Sequence, residues 1–179
     1  MPETIDPTLR GQTSQDAILE AITARLIDRI DGYADQNCFI SDDPEPSAFP
    51  GKDEFCSVSI GDGNFPAEFF TGGGDDTLCE DGSIIIAPTL PTRGGRSYRR
   101  HRFISGEHNG KTLLNRKRQI LAALFRDDWE PVVGEKPLLR DMISPLHCTR
   151  PFDVKIGEAW MLQMRLTIRT TFDWDLSDA

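Results

Sequence analysis

Apolar and polar positions alternate along the last stretch of the chain, Ala159 to Asp175. One set reads Trp160, Leu162, Met164, Leu166, Ile168, Thr170, Phe172 and Trp174. The other reads Met161, Gln163, Arg165, Thr167, Arg169, Thr171, Asp173 and Asp175. The first set is apolar except for a threonine, and the second is polar except for Met161. A period of two over this length predicts a β-strand with one buried face and one wet or interface-forming face. A helix does not fit, because Arg165 and Arg169 would interrupt any contiguous apolar stripe. At roughly 3.3 Å per residue the strand reaches about 50 Å, well beyond the usual run of about five or six residues. Such a strand outruns one small core, so part of it is expected to pair or pack at a subunit boundary.

Two segments follow the helical period instead. Ile18, Ile22, Leu26 and Ile30 repeat every four residues, with Leu19 and Ile27 alongside. Thr13 or Ser14 is suited to cap this helix, Asp16 suits its first turn, and Gly32 suits its stop. A second helix is predicted from Lys111 or Thr112 to about Asp128. Leu113, Leu114, Leu121, Leu124 and Phe125 lie on one side, and Arg116, Lys117 and Arg118 largely opposite, as a solvated face.

Shorter strands are expected at Phe55–Ile60, stopped by Gly61-Asp62-Gly63, and at Ser83–Ala87, ended by Pro88 and Pro91. Arg96 to Ser105 alternates with basic residues on both faces and reads as an edge or exposed strand. Phe152, Val154 and Ile156 begin a strand that Gly157-Glu158 turns into the final one. The connections 33–54, 61–82 and 129–151 read as long loops, with a short strand or turn at Leu138 to Ile143. Residues 1–13 read as a flexible arm, leaving 14–179 as a single α+β domain.

Charge changes this picture. The 179 residues carry formal charge −9. Residues 1–90 hold 4 Lys/Arg and 18 Asp/Glu, net −14, whereas residues 91–179 hold 16 and 11, net +5. Residues 91–126 alone contain ten Lys/Arg and one acid, Glu107. A two-ended molecule suits head-to-tail contacts between copies, or one face turned to a polyanion. The contact candidates are Arg93, Arg96, Arg99, Arg100 and Arg102, the loop acids Asp75 and Asp76, and Arg165 and Arg169 on the polar side of the final strand. The strong overall negative charge favours contact between copies over direct nucleic-acid contact.

Candidate chemistry adds little. Cys38, Cys56, Cys79 and Cys148 lie far apart with no CxxC pair, as expected of reduced, mostly buried thiols. His147 and Cys148 are adjacent, which is poor chelating geometry, and neighbours in a strand point to opposite faces. Gly72-Gly73-Gly74-Asp75-Asp76 lacks the alternating ligands of a calcium loop and the Lys-Ser/Thr of a phosphate loop. No GxSxG or GxGxxG occurs, no apolar run approaches about 18 residues, and the N-terminal stretch has no basic start followed by an apolar block. The reading is a structural or binding protein, not an enzyme, with no cofactor and no metal.

The order of these elements resembles the tail terminator (tail completion) proteins of long-tailed bacteriophages. The matching segments are the helix Ala17–Ile30, the strand Ser83–Ala87, the arginine-rich Arg96–Arg102, the helix Thr112–Phe125 and the strand Trp160–Trp174. The resemblance implies an α+β fold: a mixed, mainly antiparallel sheet with two helices packed on one face and a long C-terminal strand. It also implies a hexameric ring that caps the tail tube and docks to the head–tail connector. Its partners would be further copies of itself, the tail tube protein and the connector protein. DNA would pass through the lumen without specific binding, and no membrane would be involved. The ring would form in the bacterial host cytoplasm and reside in the virion neck or tail. The alternatives are another neck or tail component, a nucleic-acid-binding module using residues 93–118, or a hydrolase using loop acids.

Overall fold

The structure is a computed structural model, and it describes residues 14–46, 53–65, 77–92, 112–126, 129, 132–133, 136–137 and 143–175. Among the described residues the helices are α1 (Ser14–Arg29) and α2 (Leu113–Phe125). Asp16 lies in the first turn of α1 and Arg29 in its last, as the helix dipole favours. The chain leaves α1 through Gly32, whose φ of 88° is a conformation that favours glycine. Thr112 caps α2, its Oγ1 accepting from the Asn115 amide at 3.3 Å.

The strands are β1 (Cys38–Ile40), β2 (Phe55–Ile60), β3 (Thr77–Pro91), β4 (Val132–Val133), β5 (Lys136–Pro137), β6 (Ser144–Cys148), β7 (Phe152–Ile156), β8 (Ala159–Gln163) and β9 (Leu166–Asp175). Strands β4 and β5 make a separate two-stranded ribbon, and the other seven form one sheet. Among the described pairs, β1 with β2 is parallel and the rest are antiparallel. The architecture is therefore α+β with a mixed, mainly antiparallel sheet.

The predicted C-terminal strand is present as β8 and β9, which follow one line. Against β3 the register is constant from Pro91↔Met161 to Leu90↔Leu162 and Thr89↔Gln163, and it resumes unshifted from Ile86↔Leu166 to Thr77↔Asp175. The interruption at Met164–Arg165 has a simple cause. The Met164 amide donates to the Pro88 carbonyl at 3.2 Å, but Pro88 has no N–H to return. Arg165 instead exchanges bonds with Thr149 on the other side, its amide donating to Thr149 Oγ1 at 3.0 Å and its carbonyl accepting from the Thr149 amide at 2.9 Å. Strand β7 pairs with β8 across the turn at Gly157, where φ is 56°. Strand β6 pairs with β9 only as far as Ser144↔Arg169.

One face of the sheet, here called the front, carries Val58, Ile84, Ile86, Leu90, Leu162, Leu166, Ile168 and Phe172. Both helices pack on it through Ile18, Ile22, Leu26, Leu113, Ile120 and Leu124. The back face has a smaller apolar cluster of Phe55, Val154, Ile156 and Met161. The alternation of the final strand thus sorts the two faces as predicted, with two departures. Trp160, on the apolar set, is 59% exposed, whereas Met161 and Gln163 on the polar set are buried at 1% and 0%.

Several expectations are corrected. The strand expected at Ser83–Ala87 spans Thr77–Pro91, so it takes in the end of the expected 61–82 loop. Pro88 does not end it, because its missing amide falls at the ladder gap, and the strand stops at Pro91. A three-residue parallel edge strand, β1, lies within the expected 33–54 loop. The 129–151 connection, expected as a loop, holds strands at Val132–Val133, Lys136–Pro137 and Ser144–Cys148; of the strand or turn expected at Leu138–Ile143, Ile143 is buried against the front core and residues 138–142 lie outside the described residues. Arg116, expected on a solvated face of α2, is buried with Leu113, Ile120, Ala123 and Leu124. The expected N-terminal arm, the 71–76 loop and the Arg96–Ser105 strand lie outside the described residues.

Candidate subunit-contact surface

Strand β3 and the β8–β9 line together make a ribbon fifteen residues long on β3. At roughly 3.4 Å per residue its length is about 50 Å. Strand β2 flanks β3 only over Ile84–Thr89, with one further bridge at Asn64↔Asp81. Strand β6 flanks β9 only over Leu166–Arg169. Beyond those limits the described ladder continues between β3 and β9 as far as Thr77↔Asp175. The ribbon is nevertheless fixed at its root. Phe172 is fully buried and lies over Gly82, where a Cβ would come within 2.4 Å of the ring. Glycine at this position admits the aromatic ring that anchors the ribbon to the front core.

Of the nine candidate contact residues, Arg165 and Arg169 are described. Arg93, Arg96, Arg99, Arg100, Arg102, Asp75 and Asp76 lie outside the described residues. Arg165 and Arg169 leave the back face of the same line, and each is engaged within its own chain.

Arg165 fastens a strap. Its guanidinium pairs with Glu45, its Nε donates to Gln163 Oε1 at 3.1 Å, and it lies 5.1 Å from the centre of the Phe152 ring. The neighbouring Pro44 carbonyl accepts from Ser57 Oγ and from Gln163 Nε2, both at 2.9 Å. Gln163 Nε2 also donates to Thr89 Oγ1 at 3.0 Å. The acidic segment Ser41–Pro46 is thereby held across the back of the sheet. Its local turn is set by Asp43 Oδ1, which accepts from the Glu45 amide at 2.8 Å.

Arg169 stands further along, with its side chain 58% exposed, and donates from Nε to Asp81 Oδ1 at 2.7 Å. The hydrogen bond from Arg169 holds the Asp81 carboxyl below the usual carboxylate range, and the same partner raises the arginine. This is a planar two-point pair on the back of the ribbon.

Arg116 is a site that the sequence reading placed in solvent. Its guanidinium pairs with Glu54 and donates to the Asp31 carbonyl at 3.0 Å and to Gln119 Oε1 at 2.9 Å. It also lies 4.9 Å from the centre of the Tyr33 ring. Burial acts against the charged form, but the Glu54 carboxylate outweighs it and holds Arg116 above its ordinary value. The helical spacing Leu113, Arg116, Ile120 carried the missed signal, because it places the arginine on the apolar stripe. Arg116 joins α2 to the end of α1 and the start of β2, and is not free to meet a phosphate.

Burial also pushes the Tyr33 hydroxyl and the Cys56 thiol well up from their usual values, so Cys56 stays a thiol at neutral pH. Among the described residues, no group of three or more His, Cys, Asp and Glu is placed to hold a metal ion. No described helix is long and apolar enough to cross a membrane. The chain matches no family model and none of the curated proteins with which it was compared.

Proposed function

We propose that this chain is a structural subunit that closes with copies of itself into a ring, in the manner of the tail terminator proteins of long-tailed phages. In this reading the ring caps the tail tube and joins it to the head–tail connector, and DNA passes through the lumen unread. The observation that carries the proposal is the ribbon of β3 with β8–β9. It continues past the described pairing of β2 and β6 as far as Thr77↔Asp175, so that the described neighbours of residues 77–79 and 173–175 in the sheet are each other. A lone sheet with open edges is a template for pairing, and a second copy is the partner always present. The uneven charge of the chain adds two dissimilar patches, which a head-to-tail ring requires.

The test is the mass of the purified full-length chain by native mass spectrometry, alone and with its tail tube. A closed ring, expected to hold six copies, supports the proposal. Reversing the charge of Arg99 and Arg100 is expected to weaken the ring and to make the remaining assembly less sensitive to salt. A protein that stays monomeric at every concentration tested would refute the ring, and unchanged assembly of the reversed variant would remove Arg99 and Arg100 from its interface.

A further inference from the structure

We infer that Cys38 and Cys56 form a modification site, a buried dithiol that hydrogen peroxide closes to a disulfide, pinning the edge strand β1 to the sheet. The inference goes beyond the ring reading and stands whether or not the chain assembles. In the parallel ladder of β1 with β2, Cys38 lies directly opposite Cys56. Both are free thiols, and both enter the front core, at 1% and 0% exposure. They therefore leave the same face of adjacent strands, and the Cys38 side chain hydrogen-bonds with the Cys56 thiol. Neighbouring strands run about 4.7–4.9 Å apart, and Cα atoms joined by a disulfide lie about 4.4–6.8 Å apart. The ladder spacing already falls within the span that a bridge takes up.

Burial keeps Cys56 protonated, and a thiol reacts far more slowly than a thiolate. Oxidation consequently waits on local opening, and β1 supplies it. This strand is three residues long, stands at the end of the described strand order, and carries the exposed Ile40. Around it, the Cys56 amide donates to the Asn37 carbonyl at 2.7 Å and the Ser41 amide to the Val58 carbonyl at 2.9 Å. Short edge elements open at a lower free-energy cost than core strands. When β1 lifts, Cys38 meets water first, because Cys56 sits on β2, between β1 and β3. The Cys38 sulfur attacks one peroxide oxygen and the O–O bond breaks. Cys38 becomes a sulfenic acid, and its thiol proton leaves with the departing hydroxide as water. When β1 returns, the Cys56 sulfur attacks the Cys38 sulfur. The S–S bond forms, the S–O bond breaks, and the Cys56 proton leaves in a second water. Two thiols have lost two protons and two electrons, and one peroxide has become two waters. The loop closed between residues 38 and 56 holds Glu45, the partner of Arg165, and Glu54, the partner of Arg116. The bridge thus ties both ends of the segment that reaches these arginines.

The test treats the full-length chain with hydrogen peroxide, blocks the remaining thiols with iodoacetamide in denaturant, and maps the peptides by mass spectrometry. A Cys38–Cys56 cross-link that dithiothreitol removes is expected. Oxidation should raise the melting temperature by roughly 6–12 °C and slow hydrogen exchange at the Ser41 and Cys56 amides. Cys38→Ala and Cys56→Ala should each abolish the cross-link, and each oxidised variant should melt with its own reduced form, a comparison that any cost of the substitution leaves intact. If neither variant folds, the wild-type map and exchange decide alone. Recovery of Cys38 and Cys56 as alkylated thiols, under conditions that oxidise the half-buried Cys148, would show an inert core pair and overturn the inference. A disulfide from either cysteine to Cys79 or Cys148 would do the same. A Cys38–Cys56 cross-link that leaves both the melting temperature and the Ser41 exchange unchanged would overturn the pinning of β1.

Discussion

The two faces of the sheet are built on different terms. The front is closed by α1 and α2 with apolar side chains, many of them fully buried, each worth roughly 1.5–3 kcal/mol on burial. The back buries Ser57, Thr89 and Gln163 under a strap of six residues and balances them with hydrogen bonds and one arginine. Such bonds contribute a net of only about 0.5–1.5 kcal/mol each. The front therefore carries the stability of the fold. The back specifies where one acidic segment lies, and it can change without dissolving the core.

The sharpest way to break this contrast is at the ion pair of Arg116 with Glu54, buried on the helix side. Arg116→Ala leaves the Glu54 carboxylate, whose side chain is 10% exposed, without its charged partner. A loss of about 3–5 kcal/mol is expected, read as a fall in melting temperature of roughly 6–20 °C. Replacing both partners, Arg116→Met with Glu54→Leu, should recover most of that loss, because no unpaired charge remains. A single-variant loss under about 1 kcal/mol would show the pair to be peripheral.

On the back, Gln163→Leu removes the side chain that donates to both Pro44 and Thr89. The expected cost is about 1–3 kcal/mol, since buried groups lose their partner. The effect should be local: hydrogen exchange at the Asp43 and Glu45 amides should accelerate while amides of α1 keep their protection. Equal acceleration in both places would erase the distinction between the faces.

The front was legible in the sequence because its signals are local. Ile18, Ile22 and Leu26 repeat at the helical period, and Leu162, Leu166 and Ile168 at the strand period, and each lands in the core. What was misread had a local signal with a second meaning. Arg116 looked solvated because it is charged, although its spacing from Leu113 and Ile120 placed it inside. Pro88 looked like a strand end, because nothing nearby shows that its missing amide would fall at a gap in the ladder. The back was largely illegible for a different reason. Glu45 and Arg165 are 120 residues apart in sequence, and no period or motif links a loop acid to one arginine among the twenty Lys/Arg of the chain. Of the contact candidates, Arg165 and Arg169 were rightly placed on the polar side of the final line. That each would be tied to an acid of its own chain was not visible without the register.

The smallest effect is expected where the back face runs out along the ribbon, at Asp81 and Arg169. The hydrogen bond from Arg169 lowers the folded-state pKa of Asp81, so the folded protein binds a proton there less readily than the unfolded chain. The stabilisation is therefore present above the unfolded value, near 3.9, and is lost as pH falls through the lower folded value. At neutral pH the pair is intact. Arg169 is exposed, and solvent screens most of the attraction. Arg169→Gln should thus leave the melting temperature at pH 7 almost unchanged and move the Asp81 titration midpoint, followed by carboxyl-carbon NMR, up towards about 3.9. The same variant should leave the Ser41–Pro46 strap in place, since that segment is held through Gln163 and Arg165. A midpoint that does not move would mean that the two-point pair is absent in solution. The root of the ribbon would then rest on Phe172 and the β3 ladder alone, with no electrostatic fastening where the sheet leaves its core.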